Sequence, residues 1–240
     1  MRTNADAEFT PTNWSVVLHA RSDSAQREQA LERLCKTYWL PLYGYLRRRG
    51  RSPEDAEDLT QGFFAYLLES DFLDRPDPAK GRFRGYLLGA LRHYVGKVSE
   101  RDSAQKRGGG TRFTGCVSLD AEREFLALDH PQLDPSEAFE KSWALTLLAR
   151  SLQRLETEQA TPEKARQFTS LKTFLSATPT AGEYDEAARA LGTTRTTVAV
   201  WVHRLNQRYA EIVKMEVAAT VEDPAEVKEE MQHLLRALRL

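Results

Sequence analysis

Apolar residues recur at intervals of three and four along most of the chain, and the two-residue alternation of a half-buried strand is nearly absent. Leu31, Leu34, Cys35 and Trp39 share one helical face, and Pro41 is expected to kink or break that helix. Ser52-Pro53-Glu54-Asp55 reads as a helix start, with a serine cap, a proline in the first turn and carboxylates at the positive end of the dipole. Ala56, Leu59, Phe63 and Tyr66 line the face that follows. Pro76, Pro78 and Gly81 mark a loop. The next helix, from Gly81 to Arg101, buries Phe83, Tyr86, Leu87, Ala90, Leu91, Tyr94 and Val98. Gly108-Gly109-Gly110 closes this block, and residues 106–134 hold few periodic positions, the pattern of a linker. Asp134-Pro135-Ser136-Glu137 opens a further helix with a capping-box pattern and a stripe of Phe139, Trp143 and Leu147. Thr161-Pro162-Glu163 starts another, carrying Phe168, Leu171 and Leu175. Helices over 184–191 and 195–213 come next. A last helix follows Asp223-Pro224, with Val227, Met231, Leu234 and Leu238 along one side. The prediction is an all-α chain of two small helical domains, 12–105 and 135–214, joined by a linker at 106–134 and followed by a helical extension at 215–240. The apolar side of that extension needs a partner, for which the second domain is nearest in sequence.

The net charge is −1, which decides nothing by itself. Its distribution is more informative: residues 81–115 carry eight basic and two acidic side chains, between acidic stretches on either side. Such a block is the footprint of a phosphate partner or a solvated helix face. No run of apolar residues is long enough to span a membrane, and Met1 to Phe9 has no signal-peptide core. Cys35 and Cys116 make neither a disulfide framework nor a zinc knuckle, which fits a reducing cytoplasm. There is no Walker glycine loop, no nucleophile motif and no histidine–cysteine cluster, so the reading is of a protein without catalytic chemistry, metal or cofactor. Asp120, Glu122 and Glu124 near Asp129 read as a solvated acidic linker.

Two segments suggest a nucleic-acid partner. In 184–209, Ala188 is small where two helices must cross, Gly192 suits a left-handed turn, Thr194 can cap, and Val198, Val202 and Leu205 face a core. That leaves Arg195, Thr196, Thr197, Ala199, Val200, His203 and Arg204 outward, as in a helix-turn-helix reading a major groove; an ordinary helical hairpin is the alternative. In the helix from Gly81, at 100° per residue, Gly85, Gly89, Arg92 and Gly96 lie opposite the apolar face, flanked by Arg84, His93 and Lys97. Three interior glycines cost roughly 1 kcal/mol each relative to alanine. Either another helix packs closely there, or a nucleic-acid strand approaches the bare face.

The run Pro53-Glu-Asp-Ala-Glu-Asp-Leu-Thr-Gln-Gly-Phe-Phe64 resembles the second conserved region of bacterial sigma factors of the extracytoplasmic-function (ECF) group, in the sigma-70 family. Phe83-Arg-Gly-Tyr-Leu-Leu-Gly-Ala-Leu-Arg-His93 is similar to that group's promoter-contacting helix, and Gly192–Arg208 to its fourth region. The resemblance implies that Asp55, Glu57, Asp58, Leu59, Gln61 and Phe64 dock on the clamp helices of the β′ subunit of core RNA polymerase. It implies that Arg84, Arg92, His93 and Lys97 meet the minus-ten element, with Lys80 and Arg82 in a loop (75–82) that holds an extruded base. The outward residues of 195–204 would read the minus-thirty-five element, with the β flap as the polymerase partner of that domain. An anti-sigma protein or other regulator is a further implied partner. Gly62 stands where the pattern has glutamate, His93 where it has asparagine and Tyr86 where it has tryptophan. A stand-alone helix-turn-helix regulator is the alternative reading, and it has no need of the acidic-amide run 55–61.

Overall fold

The computed structural model describes residues 24–69, 82–105, 119–128, 132–176, 180–221 and 223–240. Among them are nine α-helices and no strand, so the chain is all-α as its periodicity predicts. The helices are α1 (Ser24–Arg48), α2 (Pro53–Glu69), α3 (Phe83–Gln105), α4 (Leu119–Leu128), α5 (Pro135–Thr157), α6 (Pro162–Leu171), α7 (Ala181–Ala190), α8 (Arg195–Ala218) and α9 (Val227–Ala237). Their starts follow the capping chemistry of the sequence. Asp134 Oδ1 accepts from the backbone N–H groups of Ser136 and Glu137, and Glu137 Oε2 accepts in return from the Asp134 N–H at 3.1 Å. Ser52 Oγ accepts from the Asp55 N–H, and Thr161 Oγ1 from that of Lys164.

The described residues pack as two compact units, those up to Thr146 together with those from Val217 onward, and those from Leu147 to Glu216. In the first, α1 packs on α2 and α4, and α2 on α3. Leu34, Tyr38, Leu42 and Leu46 of α1 are buried, as are Phe63 and Leu67 of α2, Phe83, Leu87 and Leu91 of α3, and Phe139 and Trp143 of α5. Aromatic contacts run through this core: Tyr38 meets Phe83 at 5.7 Å between centroids, and Tyr94 lies 5.8 Å from Phe63 and 5.4 Å from Tyr66.

Three expectations change. Pro41 does not end α1, which runs on to Arg48; Pro41 and the residues after it through Leu46 are buried, and that packing offsets the missing N–H. Within the expected linker, residues 119–128 form α4. Phe125 sits edge-on to Tyr43 at 6.1 Å, and Glu122 accepts from Arg47 Nε at 2.9 Å, from Arg47 Nη2 at 2.8 Å and from the Tyr43 hydroxyl. The Arg47 hydrogen bonds, with that of Tyr43, hold the Glu122 carboxyl below the usual carboxylate range against the opposing effect of burial. Glu122 is therefore an ion-pair partner, not part of a solvated acidic run. Finally, α9 belongs to the first unit and not to the second, with Glu230, Leu234 and Ala237 buried.

The second unit has two adjoining apolar clusters. Leu171, Ala187, Ala188, Val198 and Val202 form one, with Phe174, Tyr184, Leu191 and Trp201 at its edge. Leu155, Phe168 and Ile212 form the other, and Leu205 touches both. Gly108–Gly110, Cys116 and the loop at 75–81 lie outside the described residues.

Candidate nucleic-acid and polymerase interfaces

On α3 the glycine strip is open. Gly85, Gly89 and Gly96 are exposed, and a Cβ built at any of them meets nothing within 4 Å. Close packing of another helix is thus not what the strip serves among the described residues. Arg92, His93 and Lys97 are exposed beside it. Arg92 is held in place: its Nε donates to the Tyr45 hydroxyl at 2.9 Å and its Nη2 to Ser136 Oγ at 3.0 Å. The Lys97 ammonium lies 5.7 Å from the centre of the Tyr66 ring.

The arginines at the start of α3 are placed differently. Arg84 is only 3% exposed, with its guanidinium 4.2 Å from the Trp143 ring centroid. It donates through Nε to Glu140 Oε2 at 2.6 Å and through Nη1 to Glu230 Oε1. The expected DNA-facing side chain is instead buried, because two carboxylates and an indole face replace its hydration. Arg82 Nη2 donates to Glu229 Oε1 at 2.7 Å, and its Nε lies 2.8 Å from Glu230 Oε2 without hydrogen-bond geometry. Burial, with Arg82, Arg236 and Arg84 nearby, holds the His233 imidazole below its ordinary pKa despite Glu140. Nothing local in the sequence announces this cluster, since its members come from α3, α5 and α9. Lys80 falls outside the described residues.

On α2, Asp55 and Gln61 are exposed, and Glu57, Asp58 and Leu59 are half-buried. Phe64 is not a surface residue: it is 3% exposed and stacks on Trp39 at 5.9 Å and 13°. It faces inward because the apolar stripe of α2 is wide enough to bury both Phe63 and Phe64. Gly62 has a structural reason of its own. A Cβ there would overlap the Tyr94 hydroxyl, so no glutamate fits at this position while Tyr94 stays where it is. Cys35 is half-buried, and burial pushes its thiol up to about 11, so it stays protonated at neutral pH.

In the second unit the turn between α7 and α8 takes the form its residues suggest. Gly192 has φ +63°; the Thr193 N–H reaches Ala188 O at 2.9 Å and the Gly192 N–H reaches Arg189 O at 3.3 Å, the paired bonds of a Schellman stop. Thr194 Oγ1 accepts from the Thr197 N–H and caps α8. Arg195, Thr196, Ala199, Val200, His203 and Arg204 are exposed, whereas Thr197 is half-buried and its hydroxyl pairs with that of Thr194 at 2.9 Å. Further along α8, Arg208 binds Glu158 through two hydrogen bonds of 2.8 and 2.7 Å and so lowers the Glu158 pKa.

Among the described residues no helix is long and apolar enough to cross a membrane, and no three histidine, cysteine, aspartate or glutamate side chains gather as metal ligands would. No curated protein and no solved structure matches the chain significantly. One family model does: residues 34–96, which run from α1 through α2 into the glycine strip of α3, match Sigma-70 region 2. That match supports a sigma factor of the sigma-70 family, with the roles of region 2 in binding RNA polymerase and melting promoter DNA.

Proposed function

We propose that this chain is a sigma factor of the ECF group that binds core RNA polymerase and directs initiation at particular promoters. The observation that carries the reading is the open strip of Gly85, Gly89 and Gly96 on α3, edged by Arg92, His93 and Lys97. A bare helix face lets a strand come within reach of the backbone, and the cations beside it supply phosphate contacts. Asp55, Glu57, Asp58, Leu59 and Gln61 form the docking surface for the β′ clamp helices, with Phe64 supporting it from the core. The α7–turn–α8 pair is the helix-turn-helix of a region 4 domain. Arg195, Thr196, Ala199, Val200, His203 and Arg204 read the minus-thirty-five element, where exposed Val200 and Ala199 suit thymine methyl groups. Arg82 and Arg84 meet the minus-ten region only if α9 lets them go.

Run-off transcription tests the proposal directly, with purified core polymerase, a genomic fragment library and the chain added or withheld. Discrete transcripts that depend on the chain are expected, and they should disappear with Asp58→Ala plus Gln61→Ala because core binding is lost. A chain that does not co-purify with core polymerase, or that adds no transcript, refutes it.

A further inference from the structure

Between α1 and α2 the chain turns through Gly50, whose φ is +81°. Beside this turn lies a cavity of about 260 Å³, with Tyr45, Arg49, Arg51, Arg92 and Val95 among its walls. Arg49 and Arg51 flank the turn glycine and Arg92 comes from α3, so three arginines from two segments of the first unit line one space. None of the three has a carboxylate partner among the described residues. Arg51 makes only a 3.4 Å bond to Ser99 Oγ, and Arg92 is positioned by neutral hydroxyls. Three other arginines of this unit, Arg47, Arg82 and Arg84, are each met by glutamate. Cations that line one space without counter-charge repel one another, and an anion in the cavity relieves that. The backbone N–H groups of the turn are already used, Gly50 to Arg47 O and Arg51 to Leu46 O, so the arginine side chains are the available donors.

Guanidinium groups bind phosphate bidentately. The volume lies just below the range of about 300 Å³ and upward typical of sites for drug-sized ligands, which fits one nucleotide unit and no more. Arg92 is common to the cavity and to the open strip of α3. We propose that the cavity is a phosphate subsite that takes one nucleotide of the single strand lying along α3, with Arg49 and Arg51 as strand-binding residues. This rests on the function proposed above and adds a site to it.

The test uses the full chain assembled with core polymerase and a short fluorescent single-stranded DNA, read by anisotropy across a salt series, with core alone as the reference. Arg49→Gln plus Arg51→Gln is expected to weaken strand binding about tenfold at low salt and to make the salt slope shallower by about 0.7 for each phosphate no longer neutralised. Both side chains reach solvent, and an unchanged melting temperature checks that the fold survives. If the double variant assembles and binds the strand like the parent while His93→Gln plus Lys97→Gln weakens it, the subsite is refuted and the α3 reading stands. If the chain does not assemble with core polymerase, the reading beneath it fails as well. If the double variant loses binding of adenosine monophosphate but keeps the strand, the cavity serves a free nucleotide and the proposal is overturned.

Discussion

Single positions on α2 and α3 show two opposite uses of glycine. Gly62 is needed because of a residue on another helix: the Tyr94 hydroxyl occupies the place of its Cβ, and the Tyr94 ring is held between Phe63 and Tyr66. Gly62→Ala is therefore expected to destabilise the chain by up to about 2 kcal/mol in urea unfolding, an overpacking cost of about 1–3 kcal/mol less the roughly 1 kcal/mol that alanine gains over glycine in a helix. Tyr94→Phe in the same chain removes the overlapping oxygen and should recover most of that loss. A double variant as unstable as Gly62→Ala alone would show that Tyr94 is not the cause. Gly85 and Gly89 face open space, so replacing both with alanine should raise stability, by up to about 1 kcal/mol per site. If the strip admits a strand, the same change lowers open-complex formation. A stabilised protein with full transcription activity would show that the glycines serve nothing there. The strip could be read from the sequence because helical angles alone define it. The need for Gly62 could not, because it depends on where a side chain on α3 comes to rest.

Between elements, the same division holds. The turn from α7 to α8 was legible because Ala188, Gly192, Thr194 and Val198 are close in sequence and their offsets fix the geometry. The placement of α9 was not, because its decisive contacts join Glu229 and Glu230 to Arg82 and Arg84, far away along the chain. Likewise, α4 is held by contacts far away along the chain, Glu122 to Arg47 and Phe125 to Tyr43, while its Leu126 is 63% exposed. The two carboxylates of α9 differ sharply in burial, which separates their expected effects. Glu230→Ala leaves buried Arg84 with Glu140 as its remaining carboxylate, and should cost about 3 kcal/mol. Glu229→Ala removes an exposed partner of Arg82 and should cost less than about 1 kcal/mol. Urea unfolding of the two variants side by side checks this, and a loss for Glu230→Ala no larger than the small one for Glu229→Ala would mean that the buried pairing of α9 with Arg84 does not stabilise the first unit.

At the scale of the whole molecule, the two units carry different acid-sensitive groups, so lowering the pH should weaken them in sequence. In the first unit, burial and nearby arginines hold His233 below its ordinary pKa. Its neutral form is favoured in the folded state, so the unfolded chain takes up the proton first. Stability from this source is intact above about pH 6.5, the unfolded value, and is lost as pH falls from there toward the depressed folded value. Glu122 in the first unit and Glu158 in the second are held ionised by Arg47 and Arg208. A depressed carboxylate contributes stability above its unfolded pKa of about 4.3 and loses it as pH falls through the lower folded value. Mild acid, around pH 5–6, should therefore loosen the first unit before the Glu158–Arg208 pair of the second is touched, and stronger acid should affect both. Amide hydrogen exchange across this range is the measurement: protection in α3 should fall at mild acidity while protection in α8 holds. His233→Gln should abolish the mild-acid step and leave the carboxylate step in place. If the step persists unchanged in that variant, another group drives it, and the arginine-lined setting of His233 has no part in the acid response.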